Sequence, residues 1–354
     1  MIFPFLTACL FGIGLSLLAF IPVSQIWFSL PFTAINVLLV TLLYGGYFIA
    51  NGRLPTLLKK FKKRHLAPSI ITGTLGTFVS VILVQYGWSL PWIDGSGVNS
   101  SFNIVAQQLD LIAALLLGVI LFRNRFTLPD GIASALVLCG VIALGLVSGS
   151  SQYVFNVSII YIGISGMLFG AANIYSGVLG HDFDFKEVIL IRFVFAAPLA
   201  ILALIASALC HPEAIAHSYL STFISTLAQG GMDQSHSTLI SMESGLIFWG
   251  LYLLLNYLLG YLFLVMAFSV THRSAFNSIV MQFGPVITAL SSLLIYYGFG
   301  RYGFAELLQG IKIQLIPTLM VMSGVIYHTL YTSRQEASQK ENRPLEHGSE
   351  QVVT

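Results

Sequence analysis

Long apolar runs, separated by short polar breaks, occupy the chain from its first residues to about residue 330. A helix that spans a bilayer needs roughly 20 mostly apolar residues. Ten runs of about that length can be marked. The first half holds Phe3–Ile21, Phe32–Ala50, Pro68–Trp88, Phe102–Leu121 and Asp130–Val147. The second holds Val157–Leu179, Val188–Leu209, Ser244–Ala267, Ser274–Tyr296 and Leu307–Leu330. The pattern predicts an all-α integral membrane protein of about ten transmembrane helices. From Thr332 onward the chain is polar and rich in Glu, Gln and Ser, so residues 331–354 are expected to form a disordered cytoplasmic tail.

Composition supports this reading. Of 354 residues, 56% are hydrophobic and 8% charged, and the mean hydropathy is +0.86. A soluble domain carries about 25% charged residues, so most of this chain is expected to face lipid. Cys9, Cys139 and Cys210 are widely spaced in or beside apolar runs and indicate neither a disulfide framework nor a metal site. No Lys or Arg precedes Arg53 and no small-residue cleavage site follows the first run, which is therefore expected to be a span and not a cleaved leader.

Charge placement sets an orientation. With the N-terminus cytoplasmic, thirteen of the sixteen Lys and Arg fall on inside segments: Arg53, the Lys59–Arg64 run, Arg123, Arg125, Lys186, Arg273, Arg334, Lys340 and Arg343. Only Arg301 falls outside, while Arg192 and Lys312 lie within runs. Trp27, Trp88, Trp92 and Trp249 then cluster near the outer face. The positive-inside bias and the aromatic belt agree. Both termini are expected to be cytoplasmic, in a bacterial cytoplasmic (inner) membrane.

Internal similarity follows the same order in both halves. Ser101-Phe-Asn103 and Ala275-Phe-Asn277 open the fourth and ninth runs, each with a glutamine five residues after the asparagine, Gln108 and Gln282. Leu-Phe-Gly recurs at Leu10–Gly12 and Leu168–Gly170. Cys139-Gly-Val-Ile-Ala143 is echoed by Ser323-Gly-Val-Ile-Tyr327. These matches predict two five-helix repeats, residues 1–148 and 157–330. An odd number of spans per repeat inverts the second copy, a plan suited to a carrier with a central site.

Gln282-Phe-Gly-Pro285, the glycine-punctuated stretch from Asp130-Gly131 to Ala143, and Arg192-Phe193 early in the seventh run resemble the drug/metabolite transporter superfamily in its EamA-like branch. The resemblance covers about residues 1–330. It departs at Arg123-Asn124-Arg125, where that family usually places an acidic residue, and in the longer loop from His211 to Glu243. The family implies transport, usually export, of small metabolites, amino acids or amphipathic compounds.

Within the runs, Asn103, Gln107 and Asp110 share one helical face. Such a stripe either lines a cavity for substrate or a coupling proton, or bonds neighbouring helices, Arg192 included. Asn277 and Gln282 in the ninth run, Asn173 and Tyr175 in the sixth, and Asn256 and Tyr257 in the eighth carry the same two readings. The candidate substrate-binding or coupling set is Asn103, Gln107, Asp110, Asn173, Tyr257, Asn277 and Gln282, with Asp110 the residue expected to titrate. Arg192, about one turn inside the seventh run, is expected to snorkel to the interface. His211, His217 and His236 match no metal-ligand spacing.

HExxH, GxSxG, a phosphate-binding GxxxxGK[ST] loop and any cofactor motif are all absent from the sequence. The expected function is a secondary active transporter without a cofactor, working by alternating access as a monomer or homodimer. Its partners are a small-molecule substrate, membrane lipids and, as candidate coupling ion, the proton, with no nucleic acid. A membrane-embedded enzyme or a channel is the alternative.

Overall fold

The computed structural model describes residues 2–17, 26–93, 110, 113, 117, 120, 127–148, 157–210, 249–271, 274–281, 283–298 and 304–341. Among these residues there is no strand. The helices are α1 (Ile2–Leu17), α2 (Ile26–Ala50) and the short α3 (Leu54–Lys60). Next, α4 joins Leu66–Ile70 to Ser80–Ile93 through a π-helical stretch, Ile71–Val79. Then come α5 (Leu128–Ser148), α6 (Val157–Leu179) and α7 (Phe185–Cys210). In α8 a second π-helical stretch, Leu253–Gly260, runs into Tyr261–Thr271. The chain closes with α9 (Ser274–Met281), α10 (Gly284–Gly298) and α11 (Phe304–Glu341).

Among the described residues, five stretches are long and apolar enough to cross a membrane: Leu30–Ala50, Lys63–Gly87, Ile160–Leu179, Phe185–Cys210 and Trp249–Ser269. Large aliphatic side chains cover their outsides, with Leu42 71%, Ile49 66% and Leu209 77% exposed. Helices apolar all round belong in lipid or in a large core, and the outward aliphatic surface suits lipid. The fourth run predicted from sequence lies mostly outside the described residues, as do residues 211–248, including most of the long loop.

Two differences from the sequence reading have local causes. The ninth run is broken after Met281, just ahead of Gly284-Pro285. Pro285 has no N–H to donate to the carbonyl four residues back, so the α9 ladder cannot run through it. At the chain's end, α11 continues through Glu341, into the stretch expected to be disordered. Gln335, Glu336, Ala337, Gln339 and Lys340 are all good helix formers.

Helix ends carry their own signals. At the end of α2, Gly52 adopts φ +62°, Arg53 N–H bonds to Phe48 O and Gly52 N–H to Ile49 O. This is a Schellman stop, which glycine adopts without steric cost. The start of α7 is a capping box: Glu187 N–H bonds to Asp184 Oδ1 at 2.8 Å, and Asp184 N–H to Glu187 Oε2 at 2.9 Å. Thr127 and Asp130 cap α5 reciprocally in the same way.

Small residues set the closest helix contacts. α4 and α6 run antiparallel, with Gly76 against Ala172, Ser165 Oγ donating to Ser80 O at 2.6 Å and Tyr86 stacked edge-on with Tyr161. α1 runs antiparallel to α8, Gly14 facing Asn256 and Phe11 facing Gly260. It runs parallel to α10, Gly12 against Gly284 and Ile287, with Ser291 Oγ donating to Ser16 Oγ at 3.1 Å. α5 and α11 are antiparallel partners joined through Gly140 and Gly324 and by His328 Nε2 to Asp130 Oδ1 at 2.7 Å.

The α2–α4 connection is clasped to the α6–α7 connection at one end of the bundle. Arg53 pairs with Asp184 at 2.7 Å, Lys60 with the buried Glu187 at 3.1 Å, and Arg64 with Asp182 at 2.7 Å. Lys62 N–H donates to His65 Nδ1, which leaves Nε2–H to donate to Asp182 at 3.1 Å. The His65 hydrogen bond, with the Arg64 charge behind it, holds the Asp182 carboxyl below its ordinary value of 3.8. Phe61, Phe183 and Phe195 pack beneath the ions. The basic run of the sequence therefore has a structural partner, the acidic 182–187 segment.

Candidate functional site

Most of these helices converge on a cavity of about 100 Å³ in the middle of the bundle, room for several waters or a small molecule. α1 contributes Ala8, Phe11, Gly12 and Leu15, and α4 contributes Ser80, Val81 and Val84. Asp110 enters from the segment packed on Gly170 of α6. α6 adds Ser165, Gly166 and Phe169, and α8 adds Tyr252, Asn256, Tyr257 and Tyr261. Met281 and Gly284 flank the break between α9 and α10, and Thr288 lies one turn beyond. Gly12 and Gly284 give the walls close helix contacts, and the α9–α10 break and the π stretch of α8 lie in the lining itself.

The π-helical stretch of α8 carries Asn256 and Tyr257 and is flanked by Tyr252 and Tyr261, while that of α4 ends just before Ser80, Val81 and Val84. In α8, Tyr252, Tyr257 and Tyr261 are spaced by five and four, which an unbroken α-helix would not align. The i→i+5 bonding of the π turn brings them together, with ring centroids 5.9 Å apart at each step. Behind Tyr252, Thr33 Oγ1 donates to Gln85 Oε1 at 2.6 Å and Gln85 Nε2 donates to the Tyr252 hydroxyl at 3.2 Å. In α4, Thr77 Oγ1 donates to Thr72 O at 2.9 Å, one π turn back.

An aromatic triangle of Phe11, Phe169 and Tyr261 closes one side of the cavity, with centroids 5.6 to 6.4 Å apart. Directly behind it lies Arg192, fully buried at 0% exposure. Its guanidinium carbon sits 4.8 Å from the Tyr261 ring centre and 5.7 Å from that of Phe169. Nε donates to Thr77 Oγ1 at 2.6 Å, and Nη1 to Ser176 Oγ at 3.1 Å and Asn173 Oδ1 at 3.4 Å. Ser176 and Thr77 each spend their own proton on a helix carbonyl, so their lone pairs are fixed toward the cation.

The expectation that Arg192 snorkels to the interface is thus overturned. Gly73 lets α4 approach the α7 backbone at Arg192 and Phe195, which turns the side chain inward between α4 and α6. Arg192 also forms no salt bridge with Asp110; its hydrogen-bond and ring partners are all neutral.

Among the other polar residues singled out in the sequence, Asp110, Asn256 and Tyr257 line the cavity. Asn173 stands one layer behind it, on Arg192. Asn277 is not at the cavity: its Nδ2 donates to Ala267 O at 2.6 Å, tying α9 to the end of α8 across their short connection. Asn103, Gln107 and Gln282 lie outside the described residues. The candidate set lacked Ser80, Ser165, Tyr252, Tyr261 and Thr288, which line the cavity, and Thr77, Gln85 and Ser176 behind it. Serine and threonine are common in membrane helices, so only the tyrosine spacing in α8 could have drawn attention.

No family model matches the chain, and no curated protein matches it. Sixteen chains of solved structures do match. One, described only as "Crystal structure of protein", aligns over 94% of this chain and 97% of its own at a TM-score of 0.58 and 15% identity. The likeness is one of fold alone.

Proposed function

We propose that the chain is a secondary transporter with the two-repeat plan of the EamA-like drug/metabolite transporters. It moves a small metabolite or amphipathic compound through the central cavity by alternating access, in the export direction. The observation that carries this reading is the cavity itself, central in the bundle, polar at Asp110 and Asn256, and walled by interrupted helices. Interrupted helices at a central site are a recurring feature of carriers, because they supply free backbone groups and joints at which a bundle can rock. The π stretches fall in the third and eighth of the predicted runs, positions that a five-plus-five duplication makes equivalent.

The ionic clasp between the 53–65 and 182–187 segments suits a closed gate on the side assigned to the cytoplasm. Rocking of one half against the other opens it and seals the opposite side. The test is reconstitution into liposomes with an imposed pH gradient and a panel of labelled metabolites. A carrier gives saturable flux and accelerated exchange when unlabelled substrate is loaded on the far side. Flux that never saturates indicates a channel, and turnover of a compound without flux indicates an enzyme; either result overturns the proposal.

A further inference from the structure

An arginine with no exposed surface needs a physical account. Burying a guanidinium away from water and carboxylates is costly, and such residues in membrane spans are rare and face protein or a cavity. Here three N–H bonds reach neutral oxygens and two aromatic faces supply cation–π attraction. Nη2 is buried and has no hydrogen-bond partner; the Tyr261 hydroxyl is near enough to interact with the cation electrostatically but lacks hydrogen-bond geometry. The charge is held in place without being neutralised.

Its neighbours define what would neutralise it. Tyr261 and Phe169, the two rings over the guanidinium, are also cavity wall. Both rings therefore border the cation and the cavity at once. A guanidinium with a free N–H and its remaining donors pinned offers directed hydrogen bonds to a carboxylate or phosphate.

We propose that Arg192 is the recognition point for an anionic group on the substrate. The substrate is a small organic anion whose apolar body rests on Phe11, Leu15 and Val84 of the cavity wall while its carboxylate or phosphate meets Nη2. Movement of the two rings exposes the guanidinium as the anion arrives. The consequence for transport rests on the carrier reading, but the binding site does not. Asp110 lies in the same cavity and favours cations, so the sign of the preferred ligand tells which residue governs selection.

The experiment uses the full chain in lipid nanodiscs with benzoate, its neutral isostere benzamide and its cationic analogue benzylamine, together with acetate and inorganic phosphate. Affinity is read by calorimetry and by ligand-induced thermal stabilisation. At least one anion should bind about tenfold or more tighter than the neutral benzamide, the scale of one charged hydrogen bond. R192Q should abolish that preference while keeping benzamide affinity, and R192K should retain part of it. Wild-type preference for benzylamine or benzamide, or no preference, overturns the proposal whether or not R192Q folds. So does an anion preference that survives in R192Q. Saturable liposome flux without anion preference leaves the carrier standing and removes this inference. Arg192-dependent anion binding without flux does the reverse.

Discussion

Gly76 is where the packing of α4 on α6 makes its sharpest demand. A Cβ added there would sit 1.9 Å from Ala172 Cβ, whereas two such carbons are comfortable at about 3.5–4.0 Å. Neither group can rotate away, so Gly76→Ala must part the helices by roughly 2 Å locally. Overpacking of this kind costs about 1–3 kcal/mol. The better helical propensity of alanine returns about 0.5–1 kcal/mol, so a net loss of up to about 2.5 kcal/mol is expected. Gly45, in α2, has nothing within 4 Å of an added Cβ, so Gly45→Ala keeps the propensity gain and meets no clash. Thermal unfolding of the purified variants in one detergent, followed by size exclusion, compares them. Gly76→Ala should melt below the wild type and Gly45→Ala at or above it. Because the Ser165–Ser80 bond and the Arg192–Thr77 bond both depend on this approach, Gly76→Ala should also weaken ligand binding. Equal melting of the two variants would refute the packing argument.

Asp110→Asn keeps shape and removes titration, so proton-driven transport should fall to background with normal membrane expression; unchanged rate and pH dependence would leave Asp110 a packing residue. Asp184→Ala removes the α7 cap, about 0.5–2 kcal/mol, and a weak, solvent-screened ion pair with Arg53; it should destabilise the fold and raise cysteine-labelling access at position 186, whereas Asp184→Asn should keep most of the cap. The Asp182 carboxyl is held below 3.8 by His65 and Arg64, so its contribution to the clasp is complete above that pH and is lost as pH falls through the lower folded-state value; unfolding scans of Asp182→Asn against wild type should differ at pH 6 and converge in strong acid, and a constant difference would count against the pairing. Cysteines at Ser96 and Ser235 should be labelled by an impermeant reagent from outside intact cells; protection of either would overturn the orientation.

The sequence by itself determined the solvent and the element type. With 8% charged residues the runs belong in lipid, where only helices and closed barrels satisfy the backbone; runs of about 20 residues have helix length, and α2, α6 and α7 lie close to their predicted bounds. Local chemistry accounts for ends that the run pattern did not predict: the left-handed Gly52, the Asp184–Glu187 cap and the break ahead of Pro285. Tertiary structure decided what the polar residues do. Asp110 and Tyr257 reach the cavity, while Asn277, equally polar, is spent on a backbone carbonyl of the preceding helix. Arg192 differs from a snorkelling arginine only because Gly73 admits α4 against α7 and because Thr77 and Ser176 already have their protons committed elsewhere. No periodicity records such facts. They arise where three helices meet, and the π turns that align Thr77 and the tyrosines of α8 shift the helical register by an amount that packing, and not composition, fixes.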